Sequence, residues 1–334
     1  MRTRRKILAI FLCGTLILTL VGVLCSEREP VYRGQTLSYW LRVLDSNRPE
    51  TGEAAAVAIT QIGTNAVPWL VDWIAYEPSA LATRLTSLHE IHRWIPLWIT
   101  ANPALARAGD AMVGFEPIGP MAHSAIPQLA KMAQDPDRRD SANRSIIALE
   151  FIGPDALPSL LQMLGSTNLD AGKRFKAARA ISELSDRWRS LDDLHRQMTM
   201  AVPLFVQCLT DKDQFVAGEA ASVLGALELQ PNVSVPALTN MLQDTRSWVR
   251  ACAATALGHF GNEALPAVPT LSCAVNDSDA DVREGAICAL LRIQPGALNS
   301  ERTSLLIMLN SPDWSLRDAA TNALRTIAPE VFKQ

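Results

Sequence analysis

The sequence predicts an all-α protein, folded as a right-handed solenoid of about eight stacked helix pairs. An alanine-rich segment, VRACAATAL, recurs along the chain, and its second residue falls at positions 217, 250, 283 and 317. These copies lie 33, 33 and 34 residues apart, and an apolar segment with an early proline, such as VPALTNML, precedes the first three. A helix pair of this length cannot bury both of its faces alone, so we expect the pairs to stack.

Both segments have the periodicity of amphipathic helices. In the first segment, apolar residues recur at intervals of three and four: Val235, Leu238, Met241 and Leu242. In the second segment the same intervals separate Val249, Ala253, Ala256, Leu257 and Phe260. The proline of the first segment falls in the first helical turn, where its missing N–H costs nothing. The polar residues between the segments are those that form turns and cap helices.

Composition and charge favour a folded protein and argue against a nucleic-acid partner. Hydrophobic residues make up 48% of the 334-residue chain, and the formal net charge is −3. Four of the 31 basic residues, Arg2, Arg4, Arg5 and Lys6, precede the first acidic residue, Glu27. The remaining 27 basic residues face 34 acidic residues. Because phosphate contacts require lysine and arginine, this acidic balance predicts no nucleic-acid partner.

The N-terminus predicts export from the cytoplasm. A basic region, residues 1–6, precedes an uncharged stretch, Ile7–Cys25, which as a helix would span about 28 Å, close to the thickness of a bilayer core. By the positive-inside rule, the rest of the chain lies on the extracytoplasmic, periplasmic side. Three outcomes stay open: retention as a signal anchor or transmembrane helix, cleavage that gives a secreted protein, or lipidation at Cys25. Residues 26–34 would then link this segment to a solenoid at 35–330.

The repeat combines an early proline, an aspartate in the turn, a V-R pair that opens the second helix and a following A-x-x-A-L. Together these features resemble the HEAT repeats of bacterial, phycobilin-lyase-like proteins. The resemblance begins near residue 35 and is strongest from 200 to 330. Ala217 replaces the arginine in one copy, and Thr303 replaces the proline in the last. The resemblance implies an armadillo-like helical scaffold whose function is protein binding.

Arginine recurs at one equivalent position of the repeat, and aspartate recurs in the turns. The arginines are Arg174, Arg250, Arg283 and Arg317, and the aspartates are Asp244, Asp277 and Asp313. Because a guanidinium can bind a carboxylate through two parallel hydrogen bonds, we expect a structural ladder between stacked repeats. An anion-binding stripe is the alternative interpretation.

Four tryptophans are candidates for contact with a partner protein. Trp94 and Trp98 lie four residues apart in an insertion near 75–104, and Trp248 and Trp314 stand just before the arginine helices. A second insertion falls near 185–200, and insertions in solenoids lie on one face. Apolar stripes at helical spacing usually pack in a core, and the alternative is an exposed patch that binds a protein or a membrane surface.

The sequence carries no motif for catalysis, a cofactor or a metal. His89 and His92, in LHEIH, are one residue too close together for H-E-x-x-H, so no metal site is expected. The six cysteines include no C-x-x-C pair, and they fit as small buried hydrophobes. Export would permit a disulfide, and Cys252 with Cys288 is the pairing to examine first.

Together these features predict a membrane-tethered, extracytoplasmic scaffold that binds one or more proteins and is not an enzyme. Two alternatives belong to other classes. One is an enzyme on the same scaffold, such as a lyase that acts on a tetrapyrrole. The other is a structural envelope protein that assembles end to end. This alternative depends on whether the apolar face of the last helix is exposed. The apolar residues of that helix and its tail are Ala319, Leu324, Ile327 and Val331.

Overall fold

A computed structural model describes residues 28–45, 49–79 and 102–332, and this part of the chain is predominantly helical. A small antiparallel hairpin, β1 (Val31–Tyr32) and β2 (Gln35–Thr36), precedes the first helix. From the sequence alone, the run YRGQTLSYWLRVLDS at residues 32–46 resembles a single lead-in helix, and this prediction was wrong at its start. The turn instead places Gly34 at φ 78°, in the left-handed region that glycine adopts without strain, so the chain reverses there and the helix begins at Leu37.

The helices follow one another with short connections. The first nine are α1 (Leu37–Asp45), α2 (Pro49–Ile62), α3 (Val67–Ile74), α4 (Pro103–Val113), α5 (Phe115–Ile118), α6 (Ile126–Gln134), α7 (Asp140–Ile152), α8 (Leu157–Gly165) and α9 (Ala171–Arg187). The next nine are α10 (Asp192–Met200), α11 (Val202–Cys208), α12 (Gln214–Ala226), α13 (Pro231–Met241), α14 (Ser247–His259), α15 (Val268–Ala274), α16 (Ala280–Ile293), α17 (Arg302–Met308) and α18 (Trp314–Ile327). Short 3-10 helices cover Gly63–Ala66, Gly119–Ala125, Pro154–Ala156, Gly261–Ala267, Pro295–Glu301 and Pro329–Phe332.

The described helices form pairs, and the pairs stack into a solenoid, as the sequence predicted. The first helices of the pairs are α1, α3, α6, α8, α11, α13, α15 and α17, and each packs against a second helix: α2, α4, α7, α9, α12, α14, α16 and α18. From α4 onward, each second helix also packs against the second helix of the next pair. The second helices therefore form a continuous layer, and their outward side is an extended surface.

Prolines begin the first helices where the repeat pattern placed them. Pro68, Pro127, Pro158, Pro203 and Pro269 all occupy the first two positions of their helices. One helix differs from the sequence prediction, because α13 starts at Pro231 rather than near Val235, and Pro236 therefore lies inside it. A second proline at the first position starts this helix one turn early.

Close contact between second helices depends on two glycines at equivalent positions. A Cβ atom placed on Gly225 of α12 would lie 2.7 Å from the Cα of Ala256 in α14. A Cβ atom on Gly258 of α14 would lie 3.0 Å from the Cα of Ala289 in α16. Backbone atoms cannot move aside as a flexible side chain can, so only glycine fits at these crossings.

One described stretch, Thr51–Ile74, is long and apolar enough to cross a membrane, with a mean hydropathy of 1.3. It comprises most of α2, the Gly63–Ala66 turn and α3. Gly63 has a φ of 59°, which breaks the stretch into two helices. Ile59, Leu70 and Ile74 are fully buried in the solenoid core. This packing is that of core helices, and the predicted anchor at residues 7–25 lies outside the described residues.

The C-terminal end of the solenoid is covered by its own tail. Ala319 and Leu324 of α18 are buried, and Ile327 and Val331 are partly buried and pack against the core. The Pro329–Phe332 turn packs on α18, where Arg302 pairs with Glu330 at 2.7 Å and Arg325 lies over the Phe332 ring. The last helix is therefore not an open apolar face.

The insertion near 185–200 continues α9 to Arg187 and then adds α10. Trp188 packs against Gly153, whose φ is 100° and whose Cβ, if it had one, would lie 3.2 Å from the indole. The insertion near 75–104 falls largely among residues that the structure does not describe. Trp94, Trp98, His89 and His92 belong to that part of the chain.

Candidate interaction surface

The arginines of the repeat hold the turns of the solenoid together, and Arg250 does so most fully. Its Nε and Nη2 donate to the two carboxylate oxygens of Asp277 in the next repeat, at 2.8 and 2.7 Å. Its Nη1 donates to the carbonyl oxygen of Asp244, at 2.8 Å, in its own turn. The two side chains are only 14% and 15% exposed. One side chain therefore joins its own turn to the next.

Arg174 makes the equivalent contact with Asp211, again through both carboxylate oxygens. Burial raises the pKa of Asp211, but the hydrogen bonds from Arg174 and from the Asp213 N–H outweigh it and hold this pKa below its usual value. Asp211 was not among the predicted residues. Its position 33 residues before Asp244, in register with the repeat, is the signal that identifies it.

The other predicted ladder residues are arranged differently. Arg283 donates to the carbonyl oxygen of Asp277 at 2.8 Å, and Arg317 donates to that of Ser311 at 2.6 Å, each within its own turn. Neither arginine is ion-paired within the described residues. Asp313 caps α18 by accepting from the Ser315 N–H. The physical reason is Ser311, which occupies the position that Asp277 has one repeat earlier.

Asp244 pairs with an arginine of its own turn rather than with one from the preceding repeat. Arg246 donates to both of its carboxylate oxygens at 2.8 and 2.9 Å. The preceding repeat has Ala217 at the arginine position, so no guanidinium reaches Asp244 from there. Arg246 instead reaches back to the carbonyl oxygens of Asp211 and Lys212.

Two further cations take part that the sequence reasoning did not identify. Arg144 donates to the carbonyl oxygen of Ile74 at 3.0 and 3.2 Å, and Lys173 donates to that of Asp135. Both reach back to the turn of the preceding repeat, as Arg246 does. Most arginine side chains at the turns thus form hydrogen bonds or ion pairs within the protein. This favours the structural interpretation over an anion-binding stripe.

Acid should weaken this network, and Asp277 provides the test. The hydrogen bond from Arg250 holds the pKa of Asp277 below its usual value. A carboxyl whose pKa is lowered by folding adds stability above its unfolded pKa, near 4, and loses it as the pH falls through the folded pKa. We expect Asp277→Asn to be less stable than wild type at pH 7, with the difference shrinking below about pH 4. Denaturant unfolding across this pH range measures it, with Asp137→Asn at an exposed position as the control.

A row of aromatic rings, two exposed and one partly buried, crosses three adjacent second helices. We call Phe175 of α9, Phe215 of α12 and Trp248 of α14 the aromatic row. The ring centroids are 5.5 Å apart between Phe175 and Phe215 and 6.2 Å apart between Phe215 and Trp248. Phe215 and Trp248 are each 46% exposed. The row presents apolar rings that are already fixed against one another, as an aromatic contact site requires.

Repeat register places two of these rings together, whereas Phe175 lies one residue after its arginine position at 174. Phe215 and Trp248 each lie two residues before the arginine position of the repeat, at 217 and 250. Gly218 provides room for Trp248, because a Cβ atom there would lie 2.8 Å from the indole nitrogen. Trp314 is 73% exposed but stands one position earlier in its repeat, so it is not in this register. The sequence reasoning named Trp248 and Trp314 and missed both phenylalanines.

Three carboxylates lie on the second helices α7, α9 and α12, and a fourth lies on α5. We call Glu116, Glu150, Glu183 and Glu219 the acidic row. Burial raises the pKa of Glu219, and the neighbouring Glu183 raises it further while Arg179 lowers it. Burial likewise raises the pKa of Glu150, with Glu183 and Glu116 adding to the effect and Arg187 opposing it. Arg187 lies 3.8 and 3.9 Å from Glu116 and Glu150, and Arg179 lies 4.0 Å from Glu183, so these arginines partly neutralise the carboxylates.

The described cysteines have no feature of a catalytic or disulfide site. Cys208, Cys252, Cys273 and Cys288 are free thiols, so the structure does not join Cys252 to Cys288. Burial raises the pKa of Cys208 and of Cys252 to about 11, which keeps these thiols protonated and unreactive at neutral pH. Within the described residues, no three His, Cys, Asp or Glu side chains are grouped to hold a metal ion.

Comparisons with known proteins agree with this architecture. The family model for HEAT repeats matches residues 202–290 and 235–325. The structure is similar to the karyopherin Kap121p bound to the extreme C-terminus of the phosphatase Cdc14p, with a TM-score of 0.53 and 15% identity. It is also similar to Kap121p bound to Nup53p, with a TM-score of 0.51 and 16% identity. Each alignment covers 87% of this chain but only 33% of Kap121p.

An engineered protein aligns with a TM-score of 0.44 and 24% identity, over 63% of this chain and 91% of its own. No curated protein sequence matches the chain significantly. The karyopherin likeness concerns the fold alone. The family match shows that residues 202–325 form HEAT repeats, and stacked helix pairs continue from them toward the N-terminus.

Proposed function

We propose that this protein is a scaffold, tethered outside the cytoplasm by its N-terminal segment, that binds a partner protein on the outward side of its second helices. The observation that carries the proposal is the aromatic row. Exposed rings that are fixed in place supply contact energy at a small cost in conformational entropy. Glu219, one helical turn from Phe215 on α12, favours a partner with a basic residue next to the rings.

The location rests on the sequence of the N-terminus. Residues 1–6 are basic, and residues 7–25 are uncharged and long enough to span a bilayer. A tether would hold the solenoid near the membrane and raise the effective concentration of the scaffold for partners in the same compartment. A reporter enzyme that is active only outside the cytoplasm, fused after Gln334, tests the orientation. Activity supports the proposal, and an inactive but intact fusion contradicts it.

End-to-end self-assembly through the last helix has less support. The Pro329–Phe332 turn covers α18, and the apolar residues of that helix are buried or partly buried. Light scattering over a concentration series separates this alternative, because a filament-forming protein grows with concentration and a capped scaffold does not.

Loss of the aromatic row should weaken partner binding without unfolding the protein. We expect the double substitution Phe215→Ser and Trp248→Ser to reduce partner recovery about tenfold or more, as loss of an aromatic hot spot does. Crosslinking in living cells, recovery of the tagged protein and mass spectrometry measure this. An anchor-deleted chain shows whether the partner also depends on the tether.

The matched control is the double substitution Val233→Ser and Leu265→Ser. These side chains are also each 46% exposed, but Val233 lies in the first helix α13, and Leu265 lies in the 3-10 helix that precedes α15. The control should recover the partner as wild type does. Equal recovery with the aromatic-row variant and with wild type would remove this surface from the proposal.

A further inference from the structure

We propose that a groove between the last two repeats binds a carboxylate side chain of a partner polypeptide at Arg283; this site rests on the proposed scaffold function and specifies the chemistry of one contact. The Arg283 groove is lined by Asn276, Arg283, Ser304, Ile307, Met308, Asn310, Ser311 and Leu316. Arg283 is the only charged residue among them. The groove therefore has a positive charge and no carboxylate among its lining residues, although Glu301, outside the lining, accepts from the Asn276 amide at 2.7 Å.

An earlier groove of the same solenoid contains the carboxylate that this groove lacks. Between α8 and α11, the equivalent groove is lined by residues that include Arg174 and Asp211, and these two side chains are paired. The next arginine in the register, Arg250, is likewise paired with Asp277. At the Arg283 groove, the position equivalent to Asp211 and Asp277 is Ser311.

Ser311 repeats the backbone role of those aspartates. Its Oγ accepts the N–H of Asp313 at 3.2 Å, as the Oδ1 of Asp277 accepts the N–H of Asp279 at 2.9 Å. Its carbonyl oxygen accepts from Arg317, as that of Asp277 accepts from Arg283. The turn is thus built in the same way, but a single hydroxyl stands where both carboxylate oxygens of Asp277 accept from Arg250.

Arg283 therefore keeps donors available. Its Nη1 is bonded to the carbonyl oxygens of Asp277 and Ser278, at 2.8 and 3.0 Å. Those bonds fix the guanidinium in place, and within the described residues its Nε and Nη2 have no carboxylate acceptor such as Arg250 has in Asp277. A fixed guanidinium with two adjacent free N–H groups matches the geometry of a carboxylate.

The groove also indicates what accompanies the carboxylate. Ile307, which lines it, is 69% exposed, although the helix that carries it, α17, packs against α18. A polypeptide segment with an acidic side chain next to an apolar one would pair with Arg283 and cover Ile307. Phosphate is less well matched, because a second negative charge would find no second cation in the groove.

The test uses the full-length chain and a fluorescein-labelled peptide of alternating leucine and glutamate, with fluorescence anisotropy as the readout. A peptide with glutamine in place of glutamate is the ligand control. We expect the glutamate peptide to bind wild type more tightly than the glutamine peptide. Ser311→Asp should supply the missing carboxylate from within, weaken peptide binding about tenfold or more and raise the melting temperature. Arg283→Gln should weaken binding to the same extent without raising the melting temperature.

A reciprocal variant tests whether position 277 is equivalent to position 311. Asp277→Ser should open an equivalent groove at Arg250 and add a second peptide site, detected as a doubled stoichiometry. Equal binding of the two peptides by wild type, or undiminished binding by Ser311→Asp and Arg283→Gln, would overturn the proposal. The Phe215→Ser and Trp248→Ser variant should bind the peptide as wild type does, so failure at this groove and failure of the aromatic row are distinguishable.

Discussion

Replacement of Gly225 by valine should lower the free energy of unfolding by about 3 kcal/mol, because it forces two second helices apart. Any Cβ at this position would lie 2.7 Å from the Cα and 2.9 Å from the carbonyl oxygen of Ala256. These are backbone atoms of α14, so relief requires a shift of the helix itself. Valine adds a branched side chain that is also unfavourable in a helix. Denaturant unfolding, followed by circular dichroism, measures the change.

Alanine at positions 225 and 109 separates packing from helix propensity. Gly109 lies in α4 with nothing within 4 Å of its Cβ position, so Gly109→Ala should stabilise the protein by up to about 1 kcal/mol. Gly225→Ala gains the same propensity but meets Ala256, and we expect a net loss of stability. If both alanine variants were equally stabilising, the close crossing of α12 and α14 would not exist as described.

Replacement of Arg250 by alanine should destabilise the protein by about 2 to 3 kcal/mol, the second largest effect that we expect. The substitution removes two hydrogen bonds to Asp277 and one to the Asp244 carbonyl, and it leaves the Asp277 carboxylate half-buried without its cation. The pair is mostly shielded from solvent, so it is worth more than an exposed ion pair. Thermal and denaturant unfolding measure the loss.

Arg283→Ala provides the matched comparison, because it has the same place in the repeat and no carboxylate partner among the described residues. It loses hydrogen bonds to two carbonyl oxygens and should cost about 1 kcal/mol. Equal losses at Arg250 and Arg283 would mean that the carboxylate contact adds nothing. A smaller loss at Arg250 would contradict the ladder altogether.

The fold could be predicted from the sequence because individual residues of the repeat recur at a nearly constant spacing. Alanine at helix crossings, an early proline and polar turns recur every 33 or 34 residues, and each has one local structural consequence. The start of α13 was misjudged because two prolines, Pro231 and Pro236, both suit a first turn. The hairpin at Val31–Thr36 was missed because two-residue strands have too little pattern to detect.

The candidate surface was harder to predict, because it is made between repeats. Trp248 is visible as an aromatic residue, but its partner Phe215 matters only once the two repeats are stacked in register. The arginine–aspartate ladder was predicted only in part, because it is also made between repeats. Arginine and aspartate recur, but the pairing of Arg250 with Asp277, and not with Asp244, depends on which turn the side chain reaches. The effect of Ser311 is visible only when its turn is superposed on that of Asp277.

Site-specific photocrosslinking in living cells tests the central claim, that a partner protein binds the outward side of the second helices. A photoreactive amino acid would replace Phe215 in one strain and the equally solvent-exposed Val233, in the layer of first helices, in another. The account predicts a discrete crosslinked partner from position 215 and none from position 233. A partner that crosslinks equally from both positions, or only from 233, would contradict it.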